Sequence, residues 1–283
     1  MNLTPFFSVI IPTYHRNDLL AKCLDCLAPG IQTLPAEQYE VIVTDDGFET
    51  TAQEMIQNRY PWARWMAGPR KGPAANRNHA AKYAQGKWLA FLDDDCLPDP
   101  QWLKAYANAS AAEPSCLVFA GRVYADRPRR SLAEYSPIFE SGGRLPSGNF
   151  TIQKPLFESM CGFDERFYTA MEDLDMMVRL KKMGYQFPFV KSASVCHPWR
   201  TSYAGKDGWK LNKGYCDSML TYLSIHPEEA ANFNSLLYIQ RSLSRFIKET
   251  LPGVISYKGA GLGVAWAKHL FELKMAIYLL FKK

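Results

Sequence analysis

The stretch Lys87–Asp95, KWLAFLDDD, decides the fold of this 283-residue chain. Its apolar part, Trp88–Leu92, is short and stops abruptly, which is typical of a strand buried on both faces of a parallel sheet. The aspartates Asp93, Asp94 and Asp95 follow it directly. Because ligands of open α/β sheets bind at the carboxyl ends of the strands, these acids stand where a binding site is expected.

Two earlier segments repeat this arrangement. Phe6–Ile11 (FFSVII) and Tyr39–Thr44 (YEVIVT) are short, β-branched apolar runs that predict buried strands. Turn-forming or polar residues follow each run: Pro12, Thr13 and Tyr14 after the first, and Asp45 and Asp46 after the second. The repetition favours a functional site at this edge of the sheet. An Asp there accepts hydrogen bonds from a base or ribose, although Asp45-Asp46-Gly47 also fits an Asp-Gly turn.

Helical patterns separate these strands and predict a Rossmann-like, mostly parallel α/β sheet flanked by helices. The predicted helices are Asp18–Leu27, Thr51–Arg59 and Pro73–Tyr83. Further along, we expect helices at Trp102–Ala112 and Glu172–Met183 and strands at Cys116–Tyr124 and Asn149–Gln153. From about Gly205 the pattern is helical throughout, which predicts a C-terminal helical extension.

The acidic triplet suits a divalent cation. Adjacent carboxylates repel one another unless a cation or solvent compensates them, and Mg²⁺ and Mn²⁺ take oxygen ligands. Asp93 and Asp95 therefore form a candidate metal site, against the alternative of a solvated acidic turn. His197 is a second candidate, because imidazole is a common metal ligand, although a lone His is more often structural.

Two further segments carry groups that suit sugar transfer. Arg77 lies one turn into the helix that Gly72-Pro73 opens, where helix N-termini and Arg attract phosphate. Glu172 and Asp173 open another helix after an acid-rich aromatic loop. Acids favour a helix N-terminus for structural reasons, but a carboxylate near a donor is also the natural general base for a hydroxyl.

Taken together, these motifs resemble glycosyltransferases of family 2, with the GT-A fold, over about residues 6–200. SVIIPTYHR resembles the opening strand and nucleotide-binding turn of the family, and TDDG its second acidic motif. AANRN resembles the donor-side arginine helix, FLDDD the D-x-D motif, and CGFDERF with MEDLD the acceptor loop and catalytic acids. Phe48 departs from the family pattern, which often has Ser after D-D-G.

The resemblance implies an inverting transferase of the hexosyltransferase type that uses Mg²⁺ or Mn²⁺. Asp173, beside Glu172, would be the catalytic base, and Asp95, Asp93 and His197 would hold the metal. The nucleotide sugar would be bound by Pro12, Thr13, Tyr14, Arg16, Asp45, Asp46, Arg77, Asp93 and Asp94. The expected donor is a UDP-sugar, and the expected acceptor is a hydroxyl of a glycan or a lipid-linked glycan. Such chemistry belongs to polysaccharide biosynthesis.

The implied domain organisation is a catalytic domain over residues 1–204 and a helical extension over 205–283. Nucleotide-sugar binding is expected within about 1–100 and the acceptor side within about 101–204. The sequence leaves two alternatives open. A sugar nucleotidyltransferase would show a basic Gly-rich loop after the first strand, and an inactive nucleotide- or carbohydrate-binding module would have lost the acids.

The net charge of +5 comes from the tail. Residues 201–283 hold 11 Lys/Arg and 6 Asp/Glu, so residues 1–200 are neutral and the basic character belongs to the tail. No nucleic-acid partner is expected. The segment 259–283 places Trp266, Leu270, Leu273 and Ile277 on one helical stripe, with Lys268, Lys274, Lys282 and Lys283 in the same segment. That stripe either packs on the catalytic domain or in a homodimer, or lies on an anionic membrane. The N-terminus lacks a basic region before its short apolar run, which predicts a cytoplasmic protein, peripheral at the inner face of the membrane in the second case.

Overall fold

The computed structural model describes residues 4–201 and 205–280. The strands are β1 (Phe7–Thr13), β2 (Tyr39–Asp45), β3 (Ala63–Ala67), β4 (Trp88–Leu92), β5 (Leu97–Pro98), β6 (Val118–Tyr124), β7 (Glu134–Tyr135), β8 (Asn149–Gln153), β9 (Phe189–Cys196) and β10 (Arg200–Thr201). The helices are α1 (Asn17–Leu27), α2 (Gln53–Arg59), α3 (Pro73–Tyr83), α4 (Trp102–Ala112), α5 (Lys154–Ser159), α6 (Glu172–Lys182), α7 (Gly205–Ile225), α8 (Ser235–Arg245), α9 (Leu251–Ser256) and α10 (Leu262–Leu280). Short 3₁₀ turns lie at Ala36–Gln38 and Pro227–Asn232, and a π turn lies at Phe246–Thr250.

One sheet organises the first part of the chain, in the order β3-β2-β1-β4-β8-β6-β9-β5. β3, β2, β1 and β4 are parallel neighbours, as crossover helices require. β8 runs antiparallel between β4 and β6, and β6 is parallel to β9. The predicted α/β fold, with its mostly parallel sheet and flanking helices, is confirmed.

The sheet separates two apolar layers, because alternate side chains of a strand point to opposite faces. Val9 and Ile11 of β1 belong to a core that includes α1 and α4, with Leu24 and Trp102 fully buried. Ile10, between them in sequence, belongs to the other core, which contains side chains of α3 and α6. The near-continuous apolar runs of β1, β2 and β4 follow from this burial on both faces.

Register brings the predicted strand ends together. Thr13 at the end of β1 pairs with Asp45 at the end of β2. β4 lies on the other side of β1, parallel to it, and ends immediately before Asp93. Three polar clusters that are far apart in sequence therefore share one edge of the sheet.

β9 was not predicted as a full strand. Only the run Ser194–Cys196 stands out as apolar in the sequence, because Lys191 and Ser192, which are exposed, interrupt the longer segment that begins at Phe189. β9 nevertheless spans Phe189–Cys196, and its two ends pair with β6 in parallel, with an irregularity at residues 191–193 between them. Its end carries the chain to His197, which sequence alone could place only in a loop.

The described part of the chain divides into two compact units. The first contains the sheet, and the second comprises residues 127–136, 169–171 and those from 199 onward. The predicted helical extension is present in the second unit, with α7 beginning at Gly205. The predicted boundary between residues 204 and 205 stays a prediction, and residue 204 lies outside the described residues, as do Lys282 and Lys283. Among the helices of the described residues, none has the length and apolar character needed to cross a bilayer.

Candidate active site

Thr13 and Arg16 hold the middle aspartate of the triplet. The Thr13 hydroxyl donates to Asp94 Oδ2 at 2.7 Å, and Arg16 Nη2 lies 2.7 Å from Asp94 Oδ1. Arg16 Nη1 also lies 3.1 Å from Asp95 Oδ2. Because a buried carboxylate is costly without a counter-charge and hydrogen bonds, these contacts fix the turn after β4. The predicted donor contact of Asp94 stays a prediction that its full burial does not favour.

Arg77 joins the end of β4 to the start of α6. Its Nη2 lies 2.6 Å from Asp93 Oδ1, and its Nη1 lies 2.9 Å from Glu172 Oε1. Only 3% of the Arg77 side chain is exposed, whereas Asp93 is 30% exposed. Burial opposes ionisation of Asp93, but the adjacent guanidinium outweighs it and holds the pKa of that carboxyl below its usual range. We call this bridge between Asp93 and Glu172 the Arg77 clasp. The predicted contact of Arg77 with the nucleotide stays a prediction.

Asp173 differs from its neighbour Glu172. Glu172 is buried against Arg77, whereas Asp173 is half-buried and accepts a hydrogen bond from the Leu174 N–H at 2.8 Å. Burial, followed by the negative charge of Glu172, raises the pKa of Asp173 to about 7. Two adjacent carboxylates in different environments are a recurrent sign of an acid–base site. Asp173 is the member poised to exchange a proton near neutral pH.

Asp45 and Asp46 hold backbone after the strands. Asp45 accepts hydrogen bonds from the Gly47 and Ala52 N–H groups at 2.8 and 2.6 Å. Asp46 accepts from the Arg70 and Gly72 N–H groups at 2.8 and 3.1 Å. Burial, the largest influence, raises the pKa of Asp46. The hydrogen bond from the Gly47 N–H makes an Asx turn at Asp45, and a nucleotide contact of either acid stays a prediction.

An exposed aromatic group borders the same edge. Pro12 is buried in β1, but Tyr14 and Phe48 are 51% and 55% exposed. The Tyr14 ring lies 4.3 Å from the His15 ring, which lies 5.1 Å from the Phe48 ring. Such rings can stack on a nucleobase. Phe48 is thus the departure from the family pattern that places a ring at the predicted nucleotide side.

His197, which the family resemblance implies as a metal ligand, lies beside Asp95. Its Nε2 is 3.5 Å from Asp95 Oδ1, and its Nδ1 is 3.0 Å from the Pro198 carbonyl oxygen. A hydrogen bond from Nδ1–H to that carbonyl would leave the Nε2 lone pair toward Asp95. Burial lowers the pKa of His197, which favours the neutral imidazole that binds metals.

The donor set fits a small divalent cation. Ligand atoms each about 2.1 Å from one Mg²⁺ lie roughly 3–4 Å apart, and the Asp95–His197 spacing falls in this range. The Cys96 thiol groups with Asp95 and His197, with ligand atoms all within 4.8 Å. Burial raises the pKa of Cys96 well above its usual value, so this neutral, soft group suits a hard cation poorly. Asp93 is paired with Arg77, and its metal role stays a prediction.

Two residues that lie next to the site, Cys96 and Gly148, are not indicated by the sequence. Cys96 follows the triplet, but nothing in its sequence context marks it as close to His197. Gly148 leaves room for the Asp93 carboxylate, because a Cβ at this position would stand 2.7 Å from Asp93 Oδ2. Its neighbourhood depends on the pairing of β8 with β4, which no local pattern reveals.

The family model described as glycosyl transferase family 2 matches residues 8–168, more than half of the chain. The protein belongs to this family. A glycosyltransferase, AglE, from Haloferax volcanii is 27% identical over 69% of this chain and 68% of its own length. Against several other curated glucosyltransferases, the chain spans a third of their length or less. Family membership makes the chain a transferase and does not support the alternatives of a nucleotidyltransferase or an inactive module.

Solved structures show the same fold. A mannosyltransferase from Pyrobaculum calidifontis in complex with GDP-Man and Mn²⁺ superposes with a TM-score of 0.62 at 18% identity, over 99% of this chain and 88% of the other. TarS 1-349 from S. aureus in complex with UDP-GlcNAc gives 0.55 at 20% identity, over 76% and 66%. The GT-A fold that the sequence motifs implied is confirmed.

Proposed function

We propose that this family-2 glycosyltransferase moves a sugar from a nucleotide sugar onto a hydroxyl of a glycan or lipid-linked glycan, with inversion and with Asp173 as the base. The observation that carries the proposal is the Arg77 clasp. By pairing with both Asp93 and Glu172, Arg77 holds the D-x-D turn and the start of α6 at one place. A donor-side acid and a candidate base are thereby held together, as a single displacement requires.

The donor is a UDP-sugar in this proposal. Nucleotide sugars of two kinds occur in similar folds, UDP-GlcNAc in TarS and GDP-Man in the mannosyltransferase. On this chain Tyr14 and Phe48 would stack on the base at the ends of β1 and β2. Asp46, which holds the backbone of Arg70 and Gly72, retains acceptor capacity for a base or ribose.

Asp95 and His197 would hold Mg²⁺ or Mn²⁺, and Asp93 would complete the metal shell or contact the ribose. When bound, such an ion stabilises the negative charge of a departing diphosphate as a Lewis acid. Arg16 fixes the Asp95 carboxylate from the other side at 3.1 Å. The Pro198 carbonyl fixes the imidazole of His197.

Asp173 would take the proton of the acceptor hydroxyl as the acceptor oxygen bonds to the anomeric carbon. The bond from that carbon to the diphosphate oxygen breaks, and the nucleoside diphosphate leaves with the electron pair. Attack from the opposite side inverts the anomeric configuration. With its pKa raised to about 7, Asp173 is a stronger base than an ordinary carboxylate and is still largely ionised just above neutral pH.

A panel of UDP-, dTDP- and GDP-sugars, incubated with the full chain and either Mn²⁺ or a chelator, tests this function. We expect metal-dependent release of nucleoside diphosphate from a UDP-sugar, and a glycoside product of the anomer opposite to the donor. Retention of configuration would contradict single displacement. Equal release with chelator would contradict the metal assignment.

A further inference from the structure

The helices of the second unit place polar groups between them. α8 continues through the π turn into α9 and packs against α10. The ring of His269 in α10 contacts Ser242 Oγ through Nδ1 at 3.0 Å and Thr250 Oγ1 through Nε2 at 2.9 Å. Arg245 of α8 forms an ion pair with buried Glu272 of α10. The contact between these helices is thus lined in part by hydrogen-bonded and charged groups.

Their large apolar side chains point outward instead. Along α8, the π turn and α9 these are Leu236, Ile239, Leu243, Ile247, Leu251 and Ile255, and along α10 they are Trp266, Leu270, Leu273, Ile277 and Leu280. Each is between 45% and 79% exposed. Within each set the members follow one another at intervals of three or four, so each set forms one stripe. We call the two stripes together the apolar face.

Phe246 brings the middle of the first stripe close to the start of the second. It precedes Ile247 in the first stripe, and its ring centroid lies 6.0 Å from that of Trp266 in the second. Scattered exposed apolar residues are ordinary, but contiguous apolar surface of this kind marks an interaction site. An amphipathic helix usually buries its apolar stripe, whereas here the stripes are exposed and polar groups lie inside.

The positive charge of the helices that carry the apolar face favours an anionic partner. Residues 235–280 hold six Lys/Arg and two Asp/Glu, a net charge of +4. Both acids face arginines: Glu249 lies 3.3 Å from Arg129, and Glu272 pairs with Arg245. Lys248 and Lys274 are exposed and follow directly after apolar-face residues. A second copy would bring a face of the same net positive charge, whereas an anionic surface complements that charge.

We propose that the apolar face is a membrane-docking surface that lies on an anionic lipid bilayer. The side chains of the two stripes would enter the boundary between headgroups and acyl chains, and Lys248 and Lys274 would contact the headgroups. The helices would lie on the bilayer rather than cross it, in keeping with the lack of a span among the described helices. This proposal stands on the second unit alone and does not depend on the proposed function.

Flotation of the full chain with vesicles tests it. We expect binding to vesicles of phosphatidylcholine mixed with phosphatidylglycerol, weak binding to phosphatidylcholine alone, and release at high salt. Leu243→Ser with Leu270→Ser should weaken binding about tenfold or more, since two apolar insertions are lost. Ile31→Ser is the matched control, because Ile31 is 49% exposed in the first unit and should leave binding unchanged.

A second variant separates charge from insertion. Lys248→Gln with Lys274→Gln should weaken binding to the anionic vesicles roughly ten- to thirtyfold. Lys104→Gln, an exposed lysine of α4, should not. Circular dichroism melts confirm that each variant is folded.

Two outcomes would overturn the proposal. One is a folded wild-type chain that does not float with anionic vesicles. The other is a dimer in sedimentation velocity that Leu243→Ser with Leu270→Ser dissociates while vesicle binding persists, which would assign the apolar face to a second copy.

Discussion

The strand-end edge, where β1, β2 and β4 of the first unit end, and the helices of the second unit differ in how their buried charges are paired. At the strand ends, Asp94 and Glu172 are buried with arginines that neutralise them, and Asp173 remains half-buried with a shifted pKa. Between α8 and α10, hydrogen-bonded and charged groups form part of the contact, and many of the large apolar side chains are exposed. The arrangement at the strand ends holds the acids of the site in fixed positions. The arrangement in the helices leaves the apolar face exposed for a partner.

The paired acids Asp94 and Glu172 hold the site in place. Removal of their arginine partners should therefore leave buried carboxylates without a counter-charge. Asp173 differs from these acids, because its surroundings raise its pKa and so make it a stronger base.

Asp173→Asn keeps the size of the side chain and removes its basicity. We expect turnover to fall about 10²–10⁴-fold while donor binding persists. Asp175→Asn is the matched control, two residues further along α6, because Asp175 is buried in an ion pair with Arg179 at 2.7 Å. That control should lower the melting temperature with a much smaller effect on turnover. Near-normal turnover in Asp173→Asn, with collapse in Glu172→Gln, would mean that the other carboxylate is the base.

Arg77→Met tests the clasp. Removing the guanidinium leaves Asp93 and Glu172 without their shared counter-charge, and breaking a buried pair costs about 3–5 kcal/mol in the free energy of unfolding. Arg166→Met removes an exposed partner of Asp164 and should cost about 0–1 kcal/mol. Urea unfolding measures both. Equal, small losses would show that Arg77 is not the clasp between β4 and α6.

His197→Ala tests the metal site. We expect the affinity for Mn²⁺, measured by calorimetry in the presence of donor, to fall by at least about tenfold. Asp95→Ala should abolish transfer and greatly weaken metal-dependent donor binding. His79→Ala serves as control, since His79 lies on α3 and its ring packs on Tyr83 instead. Unchanged donor affinity with Mn²⁺ in Asp95→Ala would remove this carboxylate from the site.

Phe48→Ser should have the smallest effect. Loss of one stacking ring is worth about 1 kcal/mol or more, so nucleotide affinity should fall about fivefold. Tyr83→Ser, an equally exposed ring on α3, should leave nucleotide affinity unchanged. Fluorescence titration with UDP compares the two. If both variants bind UDP as the wild type does, the base is held elsewhere.

Much of the strand-end edge could be predicted, because the evidence for it is local. Short apolar runs specify β1, β2 and β4, and each acid follows its strand directly in sequence. The Arg77 clasp could not be predicted, because it joins Arg77 to Glu172, 95 positions apart, through packing of α6. The proximity of Cys96 to His197 depends likewise on where β9 ends.

The helical unit shows a different limit. The spacing of Trp266, Leu270, Leu273 and Ile277 identified a stripe, since periodicity reveals which residues share a helix face. It could not reveal whether that stripe turns inward or outward. That depends on contacts such as the pair of Arg245 with Glu272, which joins two helices.

The dependence of kcat on pH, at saturating donor and Mn²⁺, tests the role of Asp173 most directly. The ionised carboxylate is the base, and its pKa is raised to about 7, so activity should be lost as pH falls through about 7, by about tenfold per unit below it. Glu172→Gln should move this midpoint to lower pH, because the charge that helps to raise the pKa is removed. In Asp173→Asn the acidic limb should vanish. An acidic limb that survives in Asp173→Asn with the same midpoint would contradict Asp173 as the base.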